Sequence, residues 1–177
     1  EYLIPLLGVW DRFDEIDFDK LPDRFVLKTN HGAGWNYIVQ DKSKLDKADA
    51  KAKFDLWTKL NFTYYRGGLE LQYEHIQPKI IAEQFIENDG GDLYDYKLCC
   101  FDGEPKVIIY IMNRYVDADE RIICFDTDWN VLPFNLFTPL EQPDDIPRPK
   151  NLEKMVEVAR TLSQGIPFVR VDLYALN

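Results

Sequence analysis

A chain of 177 residues with 46% hydrophobic and 29% charged side chains can bury one sizeable core or two small ones, which excludes intrinsic disorder. A net charge of −10 excludes nucleic acid laid across the general surface, since phosphate contacts need local cations, but leaves nucleotide binding to a few concentrated Lys and Arg. The longest apolar run, Val107–Met112, is far below the roughly 18 residues of a membrane span, so no membrane span is expected.

The chain starts at Glu1 without a charged-then-apolar leader and stops just after Tyr174, inside an apparent strand, which reads as truncation at both ends. The first strand expected is Phe25–Lys28, turning through Thr29-Asn30-His31-Gly32-Ala33-Gly34 into a second, Tyr37–Val39. A helix should follow over Lys44–Leu60, capped by Ser43, with Leu45, Ala48, Ala52, Leu56 and Leu60 on its inward stripe. Strands are then expected at Lys79–Ile86, Tyr94–Phe101, Lys106–Asn113 and Arg121–Phe125, with Asp102-Gly103 as a tight hairpin turn. Four prolines between Pro139 and Pro149 mark a loop. A second helix over Leu152–Gln164 opens at Asn151, closes at Gly165 and Pro167, and points Leu152, Met155, Val156, Ala159 and Leu162 inward. The last strand is Val169–Tyr174. Consecutive hairpins exclude a doubly wound parallel sheet and two good helices exclude a β-sandwich, leaving an α+β fold with mainly antiparallel sheet and two packing helices.

The cysteines, Cys99, Cys100 and Cys124, lack C-x-x-C spacing and suit thiols in a reducing, cytoplasmic setting. His31 and His75 lie too far apart in sequence for an i,i+4 zinc pair. A loop with two glycines after Lys28 can lay backbone N–H groups on phosphate oxygens beside a point charge, or be an ordinary hairpin turn with an exposed lysine; it has neither P-loop nor Rossmann spacing. Alternation in Lys79–Ile86 sets Glu83 on one face with Ile81 and Phe85, where a carboxylate either anchors an adenine or its neighbouring lysine, or stands in solvent on an edge strand. Asp95 and Lys97 share a face, suited to a ribose hydroxyl and a phosphate or to an ordinary cross-strand ion pair. In the last strand Phe168, Arg170, Asp172 and Tyr174 point one way and Val169, Val171 and Leu173 into the core. Arg170 can then meet an anionic substrate and Asp172 a Mg²⁺ ion, or the two can form an exposed charge pair.

Taken in order, Phe25–Gly34, Ile80–Ile86, Asp95-Tyr96-Lys97 with Phe101-Asp102-Gly103-Glu104-Pro105, and Val169-Arg170-Val171-Asp172 resemble the ATP-grasp superfamily. With Ile38-Val39-Gln40-Asp41-Lys42 and Trp57 added, nearly the whole chain is similar to the TupA-like family, named for teichuronic acid biosynthesis and found in bacterial surface-polysaccharide loci. The resemblance implies an N-terminal lobe over residues 1–78 and an incomplete C-terminal lobe over 79–177. It implies that Lys28 contacts ATP phosphates, that His31, Gly32 and Gly34 close over them, and that Glu83, Gln84, Phe85 and Ile86 form the adenine hinge. Asp95 would reach the ribose, Lys97 a phosphate or substrate, Arg114 a substrate or phosphate group, Asp172 the Mg²⁺ ion, and Arg170 the acceptor side. The implied activity is ATP- and Mg²⁺-dependent activation of a small carboxylate or sugar acid through an acyl phosphate.

Two alternatives stay open. Asp126-Thr127-Asp128, after the apolar run Ile122–Phe125, has the D-x-D form of a nucleotide-sugar glycosyltransferase, yet Trp129-Asn130 and Val131-Leu132 make it read as a hairpin turn. The family pattern also continues beyond Asp172 to further metal ligands, so a non-catalytic nucleotide-binding domain is the third reading.

Overall fold

The computed structural model describes residues 2–67, 69–87, 93–112, 121–136 and 146–175. The chain divides into two compact units, Glu1–Ile86 and Glu87–Asn177. Among the described residues each unit has a four-stranded sheet and one α-helix in its core cluster, and every strand pairing is antiparallel, in keeping with the α+β expectation.

The first unit orders its strands β1 (Leu6–Trp10), β4 (Ile80–Gln84), β2 (Phe25–Thr29) and β3 (Asn36–Val39). Side chains alternate faces along β2, so Phe25 and Leu27 are fully buried while Val26 and Lys28 face outward. Ile80 and Ala82 of β4 join them in a core completed by Phe13, Ile16, Phe18 and Leu21 from short 3₁₀ turns and by helix α1 (Lys47–Trp57). Because β4 bonds to both β1 and β2, it belongs to the first unit, whereas the sequence reading began the second lobe at residue 79.

Two expectations for α1 are corrected. Asp46, not Ser43, caps the helix, accepting from the N–H groups of Ala48 at 3.0 Å and Asp49 at 2.9 Å; Ser43 instead bonds Asp41 in the 3₁₀ turn before it. The inward face is Ala50, Phe54 and Trp57, while Ala48, Ala52 and Leu56 are exposed. Burial of one phenylalanine contributes roughly 1.5–3 kcal/mol, more than alanines can offer, so Phe54 and Trp57 set the rotation of the helix. Phe54 stacks on Phe13 at 5.9 Å and meets Trp57 edge-on at 5.0 Å.

The second unit orders β7 (Arg121–Phe125), β6 (Glu104–Met112), β5 (Asp95–Phe101) and β8 (Phe168–Tyr174). Asp102 and Gly103, both at positive φ, form the expected turn between β5 and β6. Helix α2 (Leu152–Ser163) covers one sheet face, packing Leu152, Met155 and Ala159 on Leu98, Cys100, Ile108, Phe125 and Val171. Leu162 is exposed and Ser163 buried in its stead, a reversal of the expected stripe. At about 100° per residue Ser163 lies roughly 20° around the helix from Leu152, and Leu162 roughly 80°. The alternation expected for β8 holds, with Val169, Val171 and Leu173 in the core. Among the described residues no helix is long and apolar enough to cross a membrane.

Candidate functional site

The outward face of the first sheet carries a charge pair. Lys28 sits opposite Ile81, and Val26 opposite Glu83, so Lys28 and Glu83 are diagonal neighbours on one face and form an ion pair. The side chains remain 34% and 18% exposed, so the ammonium is steadied by its carboxylate and still reachable from solvent. Glu83 thus has the lysine partner that its apolar setting called for.

The glycine loop follows directly. Its base is closed by the Thr29 N–H donating to the Trp35 carbonyl at 3.1 Å. Asn30 ties it to the approach to β4, donating from its amide to the Gln77 carbonyl at 3.1 Å and accepting from the Lys79 N–H at 2.7 Å. His31 is only 3% exposed, and its ring faces Trp35 at 5.3 Å. Its Nε2 lies 3.1 Å from the Trp57 carbonyl, which can only accept, so this nitrogen carries the proton; Nδ1 is buried with no hydrogen-bond partner among the described residues. The structure therefore sets His31 beneath the loop, on the face opposite Lys28. A Cβ on Gly32 would fall 2.6 Å from Phe62 and 2.8 Å from Trp35, whereas Gly34, at φ +73°, has open space beside it. One side of the loop thus rests on an aromatic floor of Trp35, Trp57, Phe62 and Tyr65, of which the sequence reading singled out only Trp57.

After β4 come the expected hinge residues. The Gln84 N–H donates to the Pro5 carbonyl at 2.9 Å, Phe85 lies under the Arg24 guanidinium at 4.3 Å, and Ile86 is half-buried. Leu7, Leu21, Pro22, Arg24, Gln84 and Phe85 line a shallow depression of about 650 Å³ at this end of the first unit.

In the second unit the sheet face opposite α2 carries a chain of four charges. Lys97 on β5 is directly opposite Asp172 on β8, and Cys99 opposite Arg170. Lys97 Nζ is 2.8 Å from Asp172 Oδ2 and 3.4 Å from Asp95 Oδ2. Arg170 takes Asp172 in a two-pronged grip, Nε to Oδ1 at 2.7 Å and Nη2 to Oδ2 at 2.9 Å. Asp95 and Lys97 are buried, 4% and 9% exposed, beside Ile109 and Ile111, so they are not a surface ion pair. Burial opposes ionisation of Asp172, but hydrogen bonds from Arg170 and Lys97, and their charge, outweigh it and hold the carboxyl below its ordinary value. Burial pushes the Cys99 thiol up, against the pull of Arg170.

Asp126 closes its own turn. One carboxylate oxygen accepts from the N–H groups of Asp128 at 2.9 Å and Asn130 at 2.8 Å, and the other from the Asn130 amide at 2.9 Å. Although burial opposes it, these donors hold the Asp126 carboxyl below the usual range. Trp129, at φ +71°, stacks on Phe125 at 4.0 Å, so the D-x-D segment is an ordered hairpin turn. Arg114 lies outside the described residues.

The structure brings Lys28 together with Glu83, and Asp95 and Lys97 together with Arg170 and Asp172. A family model described as TupA-like ATPgrasp matches residues 1–177, the whole chain. A search of curated proteins returns no match.

Proposed function

The chain belongs to the TupA-like ATP-grasp family, and from that premise we propose that it serves an ATP- and Mg²⁺-dependent carboxylate–amine ligase of bacterial surface-polysaccharide biosynthesis. The observation that carries this reading is Lys28, held in place by Glu83 at the foot of a glycine loop whose Gly34 side is open. A steadied ammonium, about a third exposed, on the strand that leads into a glycine loop suits a phosphate chain. The hinge residues Gln84, Phe85 and Ile86 would take the adenine, and Gly32 and Gly34 would let the backbone approach the phosphates. His31, turned under the loop, would hold its floor instead of touching phosphate directly.

In the second unit Asp172 would supply a carboxylate, the hard oxygen donor a Mg²⁺–nucleotide needs, although Lys97 and Arg170 rest on it and no group of three or more His, Cys, Asp or Glu side chains gathers to hold a metal among the described residues. When bound there, Mg²⁺ would neutralise charge on the transferring phosphoryl group. Lys97, fixed by Asp95, and Arg170 would orient and neutralise anionic substrate groups. The substrate carboxylate oxygen forms a bond to the γ-phosphorus while the bond from phosphorus to the bridging oxygen of ADP breaks. An amine then attacks the acyl carbon, expels phosphate and loses a proton. Such a transfer depends on positioning and charge neutralisation, without a protein nucleophile.

Thermal unfolding with ATP, ADP and a UDP-sugar, each with and without Mg²⁺, tests this reading. A ligand at 100 times its Kd stabilises by about 2.7 kcal/mol. We expect a rise in Tm with adenine nucleotides that disappears in Lys28→Ala. Stabilisation by the UDP-sugar alone, lost in Asp126→Asn, would overturn the proposal and install a glycosyltransferase.

A further inference from the structure

Buried polar side chains are almost always hydrogen-bonded, yet among the described residues two buried side-chain atoms have no partner, Thr29 Oγ1 and His31 Nδ1. Thr29 is 5% and His31 3% exposed, so neither atom turns to bulk solvent instead. Left alone, each would weaken the fold by at least as much as an ordinary hydrogen bond strengthens it. They do not stand alone. The two residues are two positions apart, where β2 ends and the glycine loop begins, and their backbones can lie at most about 7 Å from one another.

Their chemistry is complementary. Because the Trp57 carbonyl takes the proton of Nε2, the Nδ1 of the same ring is an acceptor, and the Thr29 hydroxyl can both donate and accept. Ile80, paired opposite Thr29, offers only carbon, and the Trp35 ring packs against the His31 ring at 5.3 Å. The two atoms do not bond each other. One water, through two hydrogen bonds of about 2.8 Å, spans a gap of this size and serves both.

We propose that Thr29 and His31 hold one buried water between them and through it act as positioning residues that fix the foot of the glycine loop. The bridge stands by itself, while its part in nucleotide binding rests on the ATP-grasp reading above. The Thr29 N–H donates to the Trp35 carbonyl and the His31 ring donates to Trp57, the last residue of α1, so the bridge joins strand end, loop and helix in one network. Buried His31 and Trp35 then hold the loop from both sides, and Gly32 lies against Phe62 and Trp35. Movement over a phosphate chain is left to Ala33 and Gly34, both exposed.

The test uses the full chain as wild type, Thr29→Val and Thr29→Ser. Valine keeps the shape of threonine and deletes the hydroxyl. Loss of an idle hydroxyl would leave Tm unchanged or raise it; loss of a bridged one should lower Tm by about 2–4 °C. The ¹⁵N resonance of His31 Nδ1, assigned by its loss in His31→Gln, reads the other end. It should sit where a hydrogen-bonded acceptor does in wild type and Thr29→Ser, and where a bare ring nitrogen does in Thr29→Val. The Thr29 methyl should show a nuclear Overhauser contact to a long-lived water. ATP affinity, measured by calorimetry well below Tm, should weaken about twofold to tenfold in Thr29→Val, the equivalent of one hydrogen bond, and stay within about twofold in Thr29→Ser. A bare Nδ1 in wild type, a methyl without that water contact, or an unchanged or raised Tm in Thr29→Val would overturn the bridge. Equal ATP affinity in wild type and Thr29→Val, with the bridge present, would overturn the positioning role. Absence of ATP binding to wild type would sink the nucleotide reading and that role with it, while the bridge would still stand or fall on Nδ1 and Tm.

Discussion

The two units place charge on a sheet in opposite ways. In the first, Lys28 and Glu83 form one pair on an outward face, with the lysine a third exposed. In the second, Asp95 and Lys97 are almost wholly buried and continue into the half-exposed pair of Asp172 and Arg170. A half-exposed ion pair is weak and exchanges partners cheaply; a buried one is costly to break, because each partner left behind has lost a counter-charge in a poor solvent. Exposure therefore sorts these residues into two that reach solvent, Lys28 and Arg170, and one held inside, Lys97.

The largest effect should come from breaking the buried pair. Lys97→Met removes the ammonium beside buried Asp95 and should destabilise the fold by about 3–5 kcal/mol in urea unfolding. Adding Asp95→Asn should recover much of that loss, since the charge left behind is then gone. Lys28→Ala, by contrast, should cost less than about 1 kcal/mol, as expected of a pair still open to solvent. Equal losses in the two variants would erase the distinction between a positional and an exchangeable lysine.

The sequence reveals these sites unevenly. Alternation in β8 and β4 reads directly, so Arg170 and Asp172 share a face and Glu83 stands among apolar neighbours before any fold is known. Alternation does not say which face becomes covered, and so Asp95 and Lys97 read equally well as a surface pair. The partner of Glu83 depends on the β2–β4 register, which pairs residues more than fifty positions apart. Helix α1 misleads because Ala48, Ala52 and Leu56 keep helical spacing on the face opposite Phe54; ring area, not count, decides which side turns inward. Strand β1 escaped notice because Leu6, Leu7 and Val9 are exposed on an edge, and their run lacks the alternation that marks a half-buried strand. The position of His31 was open to a stricter use of the same rule, since it follows Leu27 and Thr29 at intervals of two and shares their inward face.

The smallest expected effect lies in the acid limb of stability, and it reports on the exchangeable end of the second charge chain. Asp172 titrates below its ordinary value in the fold, so at a given acid pH the group binds fewer protons folded than unfolded. Its contribution is therefore complete above the unfolded carboxylate value of about 3.9 and is lost as pH falls through the lower folded value. Between neutrality and about pH 5 Asp172 should leave stability flat; below about pH 4 it should add to the downward slope. Asp172→Asn should remove that added slope and leave the rest of the profile in place, as measured by urea unfolding at stepped pH. Arg170→Gln should remove part of it, because Lys97 still donates to Oδ2. An Asp172→Asn profile that falls as steeply as wild type below pH 4 would mean that Lys97 and Arg170 do not hold this carboxylate in solution.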